Sequence, residues 1–121
     1  RIHRVDGMAE AARLICASAE LANGGKGVRF EIQTTAGMQA AFVVRYGGRV
    51  FGFLNRCAHI GIELDWQPGE FFDESGLYLV CTSHGATYQP DSGECIAGPC
   101  RGARLTRLDI SEQDGGIYLL N

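Results

Sequence analysis

Two of the three histidines in this 121-residue chain stand beside cysteines. Cys57-Ala58-His59 is followed, after 21 intervening residues, by Cys81-Thr82-Ser83-His84. Each half runs into glycine, as His59-Ile60-Gly61 and His84-Gly85. Taken singly, a cysteine is most often a small buried hydrophobe. Four residues that repeat the same pairing in glycine-bearing segments are poorly explained as packing, and thiolate with imidazole is a metal-ligand set. Two cysteines and two histidines satisfy the tetrahedral preference of zinc. Zinc patterns, however, commonly group cysteine with cysteine and histidine with histidine. Here each segment supplies one of each, and the first pair has a single residue between. That arrangement suits a two-metal cluster, with both thiolates on one metal, both imidazoles on the other, and inorganic sulfide between them. A zinc-stabilised Cys2His2 interaction module is the alternative from another class.

The elements that position these residues read as short strands punctuated by glycine, which is 17 of 121 residues, about twice the usual ~7%. Val28 to Gln33 alternates apolar and polar, the period of a half-buried strand. Ala40 to Tyr46 and Arg49 to Leu54 are β-rich runs separated by Gly47-Gly48, which predicts a tight hairpin because glycine takes positive φ at both turn positions. Leu77 to Val80 predicts a short buried strand, and Leu105 to Ile110 with Ile117 to Leu120 a pair around Asp114-Gly115-Gly116. A helix is compatible only with Gly7 to Ile15, and Ser18 to Leu21 fits a single helical turn capped by Ser18. The expected class is all-β, an antiparallel sandwich or small barrel, in one domain.

C-x-H followed at a distance by C-x-x-H-G resembles the Rieske [2Fe–2S] motif. The resemblance extends to Phe51-Gly52-Phe53-Leu54-Asn55-Arg56 entering the first loop, to Gly93-Glu94-Cys95-Ile96-Ala97-Gly98-Pro99 as a covering proline loop, and to most of the chain from about Leu14 to Leu120. It implies one cluster per chain, with Cys57 and Cys81 on the inner iron and His59 and His84 on the outer. It implies surrounding roles for Gly61 and Gly85, which let backbone N–H groups approach the sulfides, for Pro99 as a shield and for Tyr88 as a donor to a cysteine sulfur. It implies a Rieske-like base from residues 1–53 and 101–121 carrying a small cluster-binding subdomain at 54–100. High-potential relatives join their two loops by a disulfide; the matching positions here are Ile62 and Ser83, and the serine after His-Gly is Ala86. Replacing two thiolates by neutral imidazoles makes the oxidised centre neutral and raises its potential, within roughly −150 to +300 mV for such centres. Losing the serine hydroxyl and the disulfide places this centre low in that range.

The implied function is one-electron carriage from a reductase to a terminal oxidoreductase such as a Rieske oxygenase. The chain itself is expected not to be an enzyme, because a 2-His-1-carboxylate iron site needs two further histidines and only His3 is left. A nitrite-reductase-like small subunit and a redox-sensing subunit are the other readings from the same resemblance. The formal net charge of −3 argues against nucleic acid as a partner. The longest purely apolar run, Ala40 to Val44, is five residues, far short of a bilayer span. Five cysteines, an odd number, do not suit a fully paired secreted framework, so a reducing, cytoplasmic setting is expected. In that setting Cys95 and Cys100, although close in sequence, are expected as two thiols. Cys16 reads as core, His3 as solvated, and Trp66, Phe71 and Phe72 as packing for the segment between the two loops. Arg56, Arg101 and Arg104 read as a solvated face beside the motif.

Overall fold

A computed structural model describes residues 12–58, 61–81 and 85–120 of the chain. Ten strands appear in chain order: β1 (Arg13–Ala17), β2 (Val28–Thr34), β3 (Gly37–Tyr46), β4 (Arg49–Leu54), β5 (Leu79–Cys81), β6 (Ala86–Tyr88), β7 (Cys95–Ala97), β8 (Arg107–Leu108), β9 (Ile110–Gln113) and β10 (Gly116–Leu119). They form three sheets, ordered β1-β10-β9, β2-β3-β4-β8 and β5-β6-β7. Every ladder between these strands is antiparallel. The all-β expectation therefore holds.

The apolar run inside β3 makes the middle sheet the spine. Ala41, Phe42, Val43 and Val44 are all fully buried, which requires cover on both faces. Successive side chains of a strand point to opposite faces, and the two faces feed two cores. Phe42 and Val44 join Phe51, Phe53, Leu64, Phe71, Leu79 and Tyr88. Val43 joins Cys16, Leu21 and Ile117 beneath the β1-β10-β9 sheet. Gly52 in β4 faces that second side, and a Cβ there would meet Ile110 Cγ1 at 2.6 Å, so glycine lets β9 close onto the spine. Arg45 bolts the two sheets at their rim, pairing bidentately with Glu112 at 3.0 and 2.6 Å while its Nε donates to the Leu21 carbonyl at 2.8 Å.

The Gly47-Gly48 hairpin is present, with Tyr46 opposite Arg49 and φ of 61° and 81° at the two glycines. The second glycine-rich turn joins β9 to β10, with Asp114 at φ 50°. The strand paired with β10 is Ile110–Gln113, whereas of Leu105 to Ile110 the segment Arg107–Leu108 turns onto β4 as β8, and the strand expected at Leu77 to Val80 is Leu79–Cys81 with Leu77 exposed. Two further local expectations change. Ile15 lies in strand β1, not in a helix; of the run from Gly7, residues up to 11 lie outside the described part, as does His3. Pairing with β10 supplies the backbone partners that a weakly amphipathic segment could not find in isolation. The helical turn is a 3-10 turn over Ser18–Glu20 whose cap position is Ala17, and Glu20 reaches back to accept the Ala17 N–H at 2.9 Å.

Phe71 stacks on Phe42, with ring centroids 3.9 Å apart and planes inclined by 12°. This contact nails the long segment after the first loop to the spine. Trp66 departs from its expected packing role: it is 80% exposed, while Phe71 is fully buried and Phe72 half-buried. Among the described residues no helix is long and apolar enough to cross a membrane.

Candidate metal centre

β4 runs directly into the first loop. Past Leu54, Asn55 donates its N–H to the Ala40 carbonyl of β3 at 2.9 Å, so the loop leaves the sheet from a held position. Cys57 is 1% exposed. Its N–H donates to the Ile62 carbonyl at 2.6 Å and its carbonyl accepts the Gly61 N–H at 2.8 Å. Gly61 sits at φ 76°, a conformation that side chains with a Cβ rarely adopt, and the Arg56 guanidinium lies over it.

The second loop repeats this construction. Cys81 ends β5 and pairs across the ladder with Ala86 of β6, leaving residues 82–85 as the connection. Cys81 is fully buried, and its carbonyl accepts the Gly85 N–H at 2.8 Å with Gly85 at φ 73°. In both loops, then, the residue four places after the cysteine is a positive-φ glycine whose N–H returns to the cysteine carbonyl. In the sequence one histidine falls between each cysteine and its glycine, His59 in the first interval and His84 in the second, and both lie outside the described residues.

A buried polar clamp holds the first loop at its base. The Asn55 Oδ1 accepts the Leu64 N–H at 2.9 Å, and the Asn55 Nδ2 donates to Asp65 Oδ1 at 2.9 Å. The Asp65 Oδ2 accepts the Gly69 N–H at 2.9 Å and faces Arg29 Nε at 3.3 Å. Asn55 and Asp65 are the two buried polar side chains of the described core. They tie the entry and exit of the loop together, and nothing in their spacing marked them beforehand. A buried asparagine two places before Cys57 is visible only once its partners are.

Tyr88 joins the two halves from beneath. It lies in β6 opposite Leu79, fully buried. Its hydroxyl oxygen accepts the Ala58 N–H at 3.0 Å and stands 3.3 Å from Cys57 Sγ and 3.2 Å from Cys100 Sγ. Burial, first, and the bonds to Cys100 and Cys57 hold this phenol far above its ordinary pKa, so it is a protonated donor. Cys100 donates to Cys95 across 2.8 Å, and burial with that contact pushes the Cys95 thiol up to about 11. Gly98 presses on the second loop, where a Cβ would meet Ala86 Cα at 2.8 Å and the Gly85 carbonyl oxygen at 3.1 Å. Pro99, beside it, is exposed. Arg56, Arg101 and Arg104 are all exposed around these loops.

Residues 11–111 match the family model of the Rieske [2Fe–2S] domain. The chain belongs to that family. Its cofactor is a single [2Fe–2S] cluster. The donor chemistry on hand fits the group: two buried cysteines at mirrored turns share one core, with a histidine in the sequence of each turn. Of the other cysteines, Cys16 lies under the opposite sheet, while Cys95 and Cys100 share this core and pair with each other. Among solved structures, this Rieske domain is similar to the ferredoxin of Sphingomonas yanoikuyae B1, with 22% identity, a TM-score of 0.68, and coverage of 90% of this chain and 97% of that one. The ferredoxin of carbazole 1,9a-dioxygenase from Nocardioides aromaticivorans IC177 gives 20%, 0.68, 91% and 97%. The terminal oxygenase of carbazole 1,9a-dioxygenase from Novosphingobium sp. KA1 gives 24% and 0.68 over 90% of this chain but 29% of that one. These likenesses establish the shared fold. No curated protein matches the chain.

Proposed function

We propose that this Rieske domain is a one-electron carrier, taking an electron from a reductase and delivering it to a terminal oxygenase. The observation that carries the reading is the pair of mirrored turns, Cys57 to Gly61 and Cys81 to Gly85, in one buried core beneath which Tyr88 places its hydroxyl. Cys57 and Cys81 hold one iron and His59 and His84 the other. When bound, the cluster supplies reversible one-electron chemistry. The chain's own part is to keep the ligands still. The two turn closures, the Asn55–Asp65 clamp and the Phe71–Phe42 stack fix the loop bases against the spine. Rigid ligation keeps the structural change between oxidation states small. Residues 54–100 serve as the cluster-binding part and 1–53 with 101–121 as its base. The alignment with ferredoxins over nearly their full length, against under a third of an oxygenase chain, supports a carrier over an oxygenase. A reducing, cytoplasmic setting is part of the same proposal.

The decisive experiment combines metal analysis with a ligand exchange. The purified protein is expected to hold two irons and two acid-labile sulfides, and to give an EPR signal on reduction by dithionite. His84→Cys adds a negative charge to the centre, so its midpoint potential is expected to fall toward the values of all-cysteine clusters, roughly −400 mV. A colourless protein with one zinc, or an unchanged potential in His84→Cys, overturns the assignment.

A further inference from the structure

The covering loop holds a second pair of sulfurs that the cluster does not use. Cys95 Sγ and Cys100 Sγ are 2.8 Å apart, about 0.8 Å more than the ~2.05 Å of a disulfide bond. The backbone already brackets the pair. Cys95 N–H donates to the Ala103 carbonyl at 2.8 Å, and Gly102 N–H donates to the Cys95 carbonyl at 3.2 Å. The ends of the loop are therefore held together before any bond forms between the sulfurs. The turn above them, from Ala97 to Pro99, is exposed, as are Arg101 and Gly102. Cys100 is the more accessible of the two, at 7% against 2% for Cys95. On its other side Cys100 Sγ meets the Tyr88 hydroxyl at 3.2 Å, and that hydroxyl also faces Cys57 Sγ at 3.3 Å.

We propose that Cys95 and Cys100 form a reversible dithiol–disulfide site, oxidised by small-molecule disulfides, whose state is passed to Cys57 through the Tyr88 hydroxyl. The Cys100 thiolate attacks one sulfur of a disulfide of the oxidised-glutathione class and releases one thiol. Cys95 then attacks the Cys100 sulfur of the mixed disulfide and releases the second. Two cysteine S–H bonds are lost, one S–S bond forms, and the oxidant leaves as two thiols carrying both protons. The Tyr88 hydroxyl has one proton and two facing sulfurs. Closing the disulfide draws Cys100 Sγ toward Cys95 and leaves Cys57 Sγ as the remaining sulfur acceptor. A hydrogen bond to a ligand sulfur favours the more negative, reduced centre, so oxidation of the pair raises the cluster's potential. The bond itself needs nothing from the cluster; only the effect on Cys57 rests on its proposed ligand role.

The test uses the intact holoprotein. It is equilibrated with oxidised glutathione, unfolded in acid, and alkylated with one reagent; it is then reduced and alkylated with a second, and the labels are located by mass spectrometry. The second label is expected on Cys95 and Cys100 together and on no other cysteine, and Cys95→Ser and Cys100→Ser each abolish it. Both thiols carrying the first label, or a glutathione adduct left unresolved on one of them, overturns the site. Midpoint potentials of the dithiol and disulfide forms are then compared, with alkylation repeated afterwards to verify the form titrated. The disulfide form is expected to titrate at the higher potential, and the difference to vanish in Tyr88→Phe. Equal potentials in the two forms overturn the coupling. A protein without a cluster defeats the carrier reading while the alkylation result still decides the dithiol.

Discussion

Removing one oxygen atom at Tyr88 tests how the core speaks to the metal centre. Tyr88→Phe keeps the ring that fills the space under the first loop and deletes only the hydroxyl. Three contacts are lost: to Cys57 Sγ at 3.3 Å, to Cys100 Sγ at 3.2 Å and from the Ala58 N–H at 3.0 Å. The first sets the electrochemical effect. A net hydrogen bond is worth about 1 kcal/mol, and for one electron 59 mV corresponds to about 1.4 kcal/mol. If the bond acts wholly on the reduced state, the midpoint potential falls by about 40 mV. The third contact sets the stability effect. An amide left without an acceptor in a part-buried site costs about 1–3 kcal/mol, so the urea midpoint falls as well. Film voltammetry at fixed pH reads the potential, and urea unfolding followed by circular dichroism reads the stability. Because the phenol is held protonated far above its usual range, the wild-type minus variant difference should stay constant across neutral and mildly alkaline pH. A variant that loses stability while its potential stays within a few millivolts of wild type would refute the hydrogen bond to Cys57 as a determinant of potential.

Three further outcomes follow from the same geometry. Gly98→Ala forces a Cβ against Ala86 Cα at 2.8 Å with the backbone at φ 97°, so the covering loop must lift; overpacking costs about 1–3 kcal/mol, and the variant should unfold at lower urea and lose its visible absorption sooner. Asp65→Asn replaces one of the two oxygens that accept from Asn55 and Gly69 by an NH2 donor and removes the charge opposite Arg29, and should cost about 1–3 kcal/mol and loosen the first loop, read as faster amide exchange at Leu64 and Gly69. Glu112 is held below its ordinary pKa chiefly by its hydrogen bonds to Arg45, so the stability it adds is fully present above about pH 4.3 and is lost as pH falls through the lowered folded value. Glu112→Gln should flatten that acid limb, and an unchanged acid limb in urea titrations at stepped pH would count against the pairing.

Much of the molecule could be read from local pattern. The alternation in Val28 to Gln33, the two glycines at 47 and 48, and the apolar run in β3 each correspond to a strand or turn, because strand period and positive φ are local properties. The repeated Cys–His pairs, on which the proposed ligand set rests, likewise stand out locally, since thiolate and imidazole are properties of residue type. Short strands were harder. β6 and β7 have three residues each, and β1 was legible only as a weak helix. Such segments gain their hydrogen bonds from partners distant in sequence, β1 from β10 being the example.

Sequence alone determined the chemistry available: two Cys–His pairs, each followed by glycine, set on an all-β chain with little net charge. Tertiary structure decided what surrounds that chemistry. Only folding brings Tyr88 to Cys57 across 31 positions, sets Cys100 on the far side of the same hydroxyl, and pairs Asn55 with Asp65. These contacts depend on which strand faces which, and that is settled by the burial of both faces of β3, a cooperative property of the whole chain that no single segment carries.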